Sequence, residues 1–142
     1  MNVLDIIKMN IKSYRHVTCC MKPDDNILFL NYHENLNVDL SLAKELVANR
    51  LEFTKNEKHY LIQHISNVLD INYEAIQHLK NTDQGLKNIL GLACVTSGAI
   101  SAQIADMFIK HPKKFPSKIF NAEKEAIKWI HELKEYHQIT QQ

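Results

Sequence analysis

Thr96, Ser97, Gly98 and Ser101 stand together where an apolar run, Gly91 to Thr96, gives way to a helical pattern. Free N–H groups and the dipole at a helix N-terminus favour an anion or a polar ligand group. The carboxyl ends of strands are also the usual ligand crevice of open α/β sheets. Serine is a preferred helix cap, so the plainer role for Ser97 is to cap that helix. The turn falls far short of a phosphate-binding GxxxxGKS/T signature. With Asn72, which precedes another helical segment, these residues form the candidate ligand- or partner-binding set.

Other reactive side chains support less. Of the eight histidines, His59 and His64 are five apart on a predicted strand and face opposite sides. His131 and His137, six apart on a predicted helix, are separated as well. No HxH, HExxH or Cys/His pair at ligand spacing is present, so solvated histidines are expected, with no metal and no cofactor. Cys94 lies inside the apolar run, where a thiol acts as a small hydrophobe, and nothing near it in the sequence would stabilise a thiolate. Lys110, His111, Lys113, Lys114 and Lys118 cluster around Pro112 and Pro116. Phe115 is the one aromatic among them, so a solvated loop is expected rather than a nucleic-acid surface. No catalytic set emerges, and the expectation is a protein that is not an enzyme.

The elements that must hold these residues follow from periodicity. His16 to Met21 and Ile27 to Tyr32 read as strands joined by the turn Pro23-Asp24-Asp25-Asn26, a hairpin. Asp39 caps a helix to about Phe53 whose inward stripe is Leu40, Ala43, Leu46, Val47 and Leu51, while Lys44, Glu45 and Arg50 face elsewhere. Residues 54–58 form a polar loop, and Tyr60 to Ile65 a strand. Asn72 caps a helix to about Leu79, with Gly85 as a left-handed residue beyond its end. After the buried strand Gly91 to Thr96, a helix over Ala99 to Lys110 directs Ile100, Ile104, Ala105, Phe108 and Ile109 inward. Ser117 to Phe120 is a short strand, and Asn121 caps a last helix that turns Ala126, Trp129, Ile130 and Leu133 to the core. Residues 1–15 read as an arm, with a short helix or an extra strand both open, residues 16–137 as one domain, and residues 138–142 as a fraying tail. The fold class is α/β, a mixed four- to five-stranded sheet with helices packed on it.

Composition agrees with a single soluble unit. The chain has 142 residues, 45% of them hydrophobic, and a net charge of +1, which gives no global attraction to nucleic acid or anionic membrane. No apolar run approaches the ~20 residues of a membrane span. Asp5 and Lys8 break the apolar start, which makes a poor secretory signal. Cys19, Cys20 and Cys94 contain no CxxC, and reduced thiols in a cytoplasm are expected.

Three stretches carry a family resemblance. VDLSLAKELVANRLEF (38–53), GLACVTSGAISAQIADMFIK (91–110) and FPSKIFNAEKEAIKWI (115–130) are similar to the first helix, the buried strand with its turn and helix, and the Pro-bounded last strand and helix of the SpoIIAA-like (STAS-like) fold. The chain most resembles the small bacterial STAS/SEC14 domain-containing proteins of unassigned function. Signalling members of the wider fold carry a phosphorylatable Ser in a pattern like L-S-x-V-x-x-x-D-S-S. Here HISNVLDINYEAI (64–76) aligns Ser66 and Val68 with the strand end but places Ile71 and Asn72 at the acceptor position. The resemblance implies a module acting through a protein partner, with a homodimer compatible; with no hydroxyl at the acceptor position, the kinase switch of the signalling members is not expected here. The lipid-exchange domains of the same broad fold imply an alternative, a carrier or sensor of a small apolar or amphiphilic ligand. That alternative requires an enclosed apolar cavity beneath the 99–110 helix, typically about 300–1,000 Å³.

Overall fold

The structure, a computed structural model, describes residues 9–140. Among the described residues eight strands and four helices follow one another as β1 (Asn10–Ser13), β2 (Val17–Met21), β3 (Ile27–Tyr32), β4 (Leu36–Val38), α1 (Leu40–Phe53), β5 (His59–His64), β6 (Val68–Ile71), α2 (Tyr73–Leu79), β7 (Ile89–Val95), α3 (Ala99–Ile109), β8 (Ser117–Phe120) and α4 (Glu123–Thr140). Six strands form one mixed sheet in the order β1-β2-β3-β5-β7-β8. β1, β2 and β3 are antiparallel neighbours, whereas β3, β5, β7 and β8 run parallel. The mixed α/β class is as expected, with six strands in the main sheet against the four to five expected.

Each parallel step moves one place along the sheet in the same direction, and such crossovers share one hand. The helices α1, α2 and α3 therefore fall on one face, and α4, which follows the last strand, covers the other. Alternation along the strands divides the core accordingly. Leu61 and Ile65 join Leu28, Leu30, Leu92 and Cys94 in the larger cluster beneath the three helices. Tyr60, Ile62, Ala93 and Val95 meet Ala126 and Ile130 of α4 on the opposite face. Two buried faces explain why Ile89–Val95 is apolar almost throughout.

Local signals set most boundaries. Asp39 Oδ1 accepts from the Leu42 N–H at 2.8 Å, and Asn72 Oδ1 from the Ala75 N–H at 2.9 Å, so both expected caps are made. Gly91 sits under α4, where an added Cβ would stand 2.5 Å from Leu133 Cδ2 and 3.1 Å from the Tyr60 ring. Gly91→Val forces both side chains aside. It is expected to cost about 1–3 kcal/mol in urea unfolding, the usual penalty for overpacking.

Several expectations are corrected. Part of the N-terminal arm is the edge strand β1, the extra strand of the two alternatives left open, ordered by its pairing with β2; residues 1–8 lie outside the described residues. β4 and β6 form a separate two-stranded parallel sheet, too short, at three and four residues, to leave a pattern in the sequence. Gly85 is not left-handed; among described glycines that conformation belongs to Gly98, at φ 87°. Gly85 is needed instead because a Cβ there would run into the Leu79 backbone. The last helix begins at Glu123, one residue too late for Asn121 to be its cap. It also continues past the expected fraying point to Thr140. The Tyr60 hydroxyl meets His137 Nδ1 at 2.5 Å, and Lys134 Nζ donates to Asp25 Oδ1 at 2.7 Å, so this end of the helix is anchored.

Candidate functional site

β7 ends at Val95 in the middle of the parallel strands, and the expected site residues gather beyond it. Thr96 is buried, and its N–H donates to the Phe120 carbonyl at 2.9 Å, which ties the turn to β8. Gly98 is the residue that starts α3, and its φ of 87° explains the glycine. Ser97 does not cap the helix as expected. Its Oγ turns away and donates to Ser66 Oγ at 2.9 Å. Ser101 closes the turn in its place: its Oγ accepts from the Ser97 N–H at 3.1 Å and donates to the Ser97 carbonyl at 2.8 Å. Ser101 is buried, and Asn72 is committed to its cap. Of the five candidates, Thr96 and Ser101 are buried in this end, while Asn72, Ser97 and Gly98 reach its surface.

The same end carries exposed apolar side chains, one of which, Ile100, was expected to face inward. α3 buries Ser101, Ile104 and Ala105, a stripe at i, i+3 and i+4. Ile100 falls outside that stripe and is 58% exposed. Leu69 on β6 and Tyr73 at the start of α2 are 45% and 71% exposed. β6 packs along α3 and leads through Asn72 into α2, and the Ser66–Ser97 hydrogen bond joins the two loops between these elements.

A second constellation was missed. Arg50, expected to face away from the core, is 3% exposed in the last turn of α1. Its Nη1 donates to the Lys87 carbonyl at 2.8 Å and to His59 Nε2 at 3.0 Å, and its Nη2 to the Gly85 carbonyl at 3.0 Å. A guanidinium has only donors, so His59 Nε2 must accept, and the ring proton sits on Nδ1, which donates to the Glu57 carbonyl at 2.8 Å. His59 is 1% exposed, a correction to the solvated histidine expected there. Burial, helped by the neighbouring Arg50 charge, holds His59 down to about 4, so the imidazole is neutral near pH 7. Burial also lowers Arg50 to about 10, which leaves the guanidinium charged. Among the described residues no carboxylate forms an ion pair with it.

Arg50 lines a mostly apolar cavity of about 70 Å³ between the sheet and the three helices, with Tyr32 and Gln63 as its other polar members. Ile104 and Phe108 of α3 form part of the wall, so the cavity lies beneath the helix where a ligand-binding member would need one. Its volume is well below the range of ordinary ligand pockets. The Tyr32 hydroxyl donates to Gln63 Oε1 at 3.0 Å, and Gln63 Nε2 reaches Cys94 Sγ at 3.3 Å. Cys94 is buried, and burial pushes its thiol up to about 11. That leaves it protonated near neutrality, a core residue and not a thiolate.

The remaining clusters resolve into local contacts. His64, on the opposite face from His59, meets Glu123 Oε1 at 3.1 Å. Lys113 Nζ donates to the carbonyls of Ile109 and His111 at 3.1 and 2.6 Å, closing the C-terminal end of α3. Lys118 Nζ stands 5.4 Å from the Phe120 ring centroid. The basic loop is thus partly engaged with its own helix and strand. Among the described residues no helix is long and apolar enough to cross a membrane.

Comparison with known proteins agrees with this architecture. Among solved structures the chain is similar to an uncharacterized protein from the DUF3478 family with a SpoIIAA-like fold from Shewanella loihica PV-4, with a TM-score of 0.53 and 16% identity over 84% of this chain and 98% of that one. At that identity the likeness establishes the fold, which is SpoIIAA-like. No curated protein matches. Residues 21–134 match the family model described as "Domain of unknown function (DUF7793)".

Proposed function

This chain belongs to the DUF7793 family, and on that premise we propose that it is a non-enzymatic binding domain that engages a protein partner through the end of the sheet where β5 and β7 stop. The observation that carries this reading is the exposure of Leu69, Tyr73 and Ile100 on three neighbouring elements there. Exposed apolar side chains on adjoining elements, at the end that also carries the Ser66 and Ser97 hydroxyls, are what a protein-docking surface requires. The polar groups that could have served catalysis are spent on the fold: Ser101 on its own turn, Asn72 on a cap and His59 on a backbone carbonyl. We further propose a cytoplasmic setting, which the free, buried thiols of Cys19 and Cys94 favour.

The test is a matched pair of baits. The full chain and its Tyr73→Glu/Ile100→Glu double variant are used to capture partners from the native host. Both substitutions replace exposed side chains, so the variant should unfold at the same urea concentration as the parent. The expected result is a protein retained by the parent and lost from the variant. Capture of the same proteins by both baits, or of none by either, contradicts the reading.

A further inference from the structure

We propose that the cavity beneath α1, α2 and α3 is a binding site for a short-chain monocarboxylate, with the carboxylate on Arg50 and the alkyl end against Leu61, Ile65 and Ile104. This goes beyond the partner-binding face and rests on different residues.

The first argument is charge. A cation as deeply buried as Arg50 normally has an anionic partner, because its desolvation is otherwise uncompensated. Among the described residues Arg50 has none in ion-pair range, and its three hydrogen bonds go to two carbonyls and a neutral imidazole. A guanidinium has five N–H donors, so two remain. A carboxylate takes two parallel N–H bonds from such a fork, the geometry in which arginine binds anions best.

Shape and lining set the rest of the ligand. Leu61, Ile65, Ile104 and Phe108 present no polar side-chain atom, so the far end must be hydrocarbon. Arg50 is the charged member and can hold one acidic head group, while Tyr32 and Gln63 are hydrogen-bonded to each other. At about 10–15 Å³ of cavity space per water-sized group, a volume of about 70 Å³ holds about five to seven heavy atoms, a carboxylate with a short alkyl stub of about three to four carbons in all. A dicarboxylate would strand its second charge among leucines and isoleucines. A long-chain fatty acid would not fit.

The test is a titration of the full chain with acetate, propionate, butyrate and hexanoate near neutral pH and at constant ionic strength. Each acid is compared with the primary alcohol of the same length, by calorimetry and by amide NMR. The expected result is saturable binding that peaks at propionate or butyrate and favours each acid over its alcohol by at least about tenfold. The amide shifts should centre on Leu61, Gly85 and Ile104. Equal affinity for acid and alcohol, affinity still rising at hexanoate, shifts confined to the lysine loop 110–118, or no saturation would each overturn the proposal. Arg50 also has a structural role, so the deciding variant is Ile104→Phe, which fills the cavity and leaves the guanidinium in place. A folded Ile104→Phe protein is expected to lose at least about tenfold in propionate affinity, and unchanged affinity would overturn the site.

Discussion

Arg50→Ala should lower the unfolding free energy by about 3–5 kcal/mol, a large fraction of the ~5–15 kcal/mol that holds a domain of this size together. The guanidinium joins the last turn of α1 to the segment between α2 and β7 through the Gly85 and Lys87 carbonyls, and to the first residue of β5 through His59. Removing it strands two carbonyls and an imidazole nitrogen, each costing about 1–3 kcal/mol if left buried and unpaired, and it also enlarges the cavity beside them. Arg50→Lys should recover only part of the loss, since a single ammonium cannot reach all three acceptors from one position. Urea unfolding at neutral pH measures both variants. A loss below about 1 kcal/mol for the alanine variant would mean that the loop is held by its apolar contacts and not by this side chain.

Acidification should destabilise the protein through His59. Its folded-state pKa is depressed to about 4 from 6.5, chiefly because the charged ring would be desolvated and secondarily because it would face the Arg50 cation. Between those two values the unfolded chain binds a proton that the folded chain does not, so unfolding is favoured as pH falls. The His59 contribution is complete above about pH 6.5, drains away down to about pH 4 and is flat below. Its span is about 3 kcal/mol, or ~10 °C in Tm. Carboxylates titrate toward the lower end of the same window, so the informative quantity is the difference from His59→Gln. Glutamine can still accept from Arg50 but carries no titrating proton. The expected result is a shallower pH dependence in the variant above pH 4, and identical slopes would contradict the protonation state assigned to His59.

Apart from β1, β4 and β6, the order of elements was legible because each rests on a local signal. The Pro-Asp-Asp-Asn turn makes the β2–β3 hairpin, Asp39 and Asn72 cap their helices, and the apolar run before Thr96 is buried on both faces. The errors have physical causes as well. Arg50 lies seven residues after Ala43, four after Leu46 and three after Val47, so periodicity alone puts it on the buried stripe. Its residue type argued it outward, because the acceptors that make its burial tolerable, Gly85 and Lys87, lie 35 and 37 residues away and leave no mark in the local sequence. His59 shares a face with Leu61 and Ile65, an alternation that could have flagged it as buried. Ile100 was misassigned by hydrophobicity. Ser101, one residue on, takes the buried position because its hydroxyl closes the turn that a normal cap would have closed. The cavity depends on β4 and β6 as part of its wall, and neither three- to four-residue strand has a sequence signature.

The most direct test of the partner-binding account is amide hydrogen exchange of the full chain, alone and with the partner captured by the parent bait. Slower exchange concentrated in residues 66–73 and 97–101 is the predicted result. Protection confined to α4 or to the lysine loop 110–118, with those two segments unchanged, would contradict it.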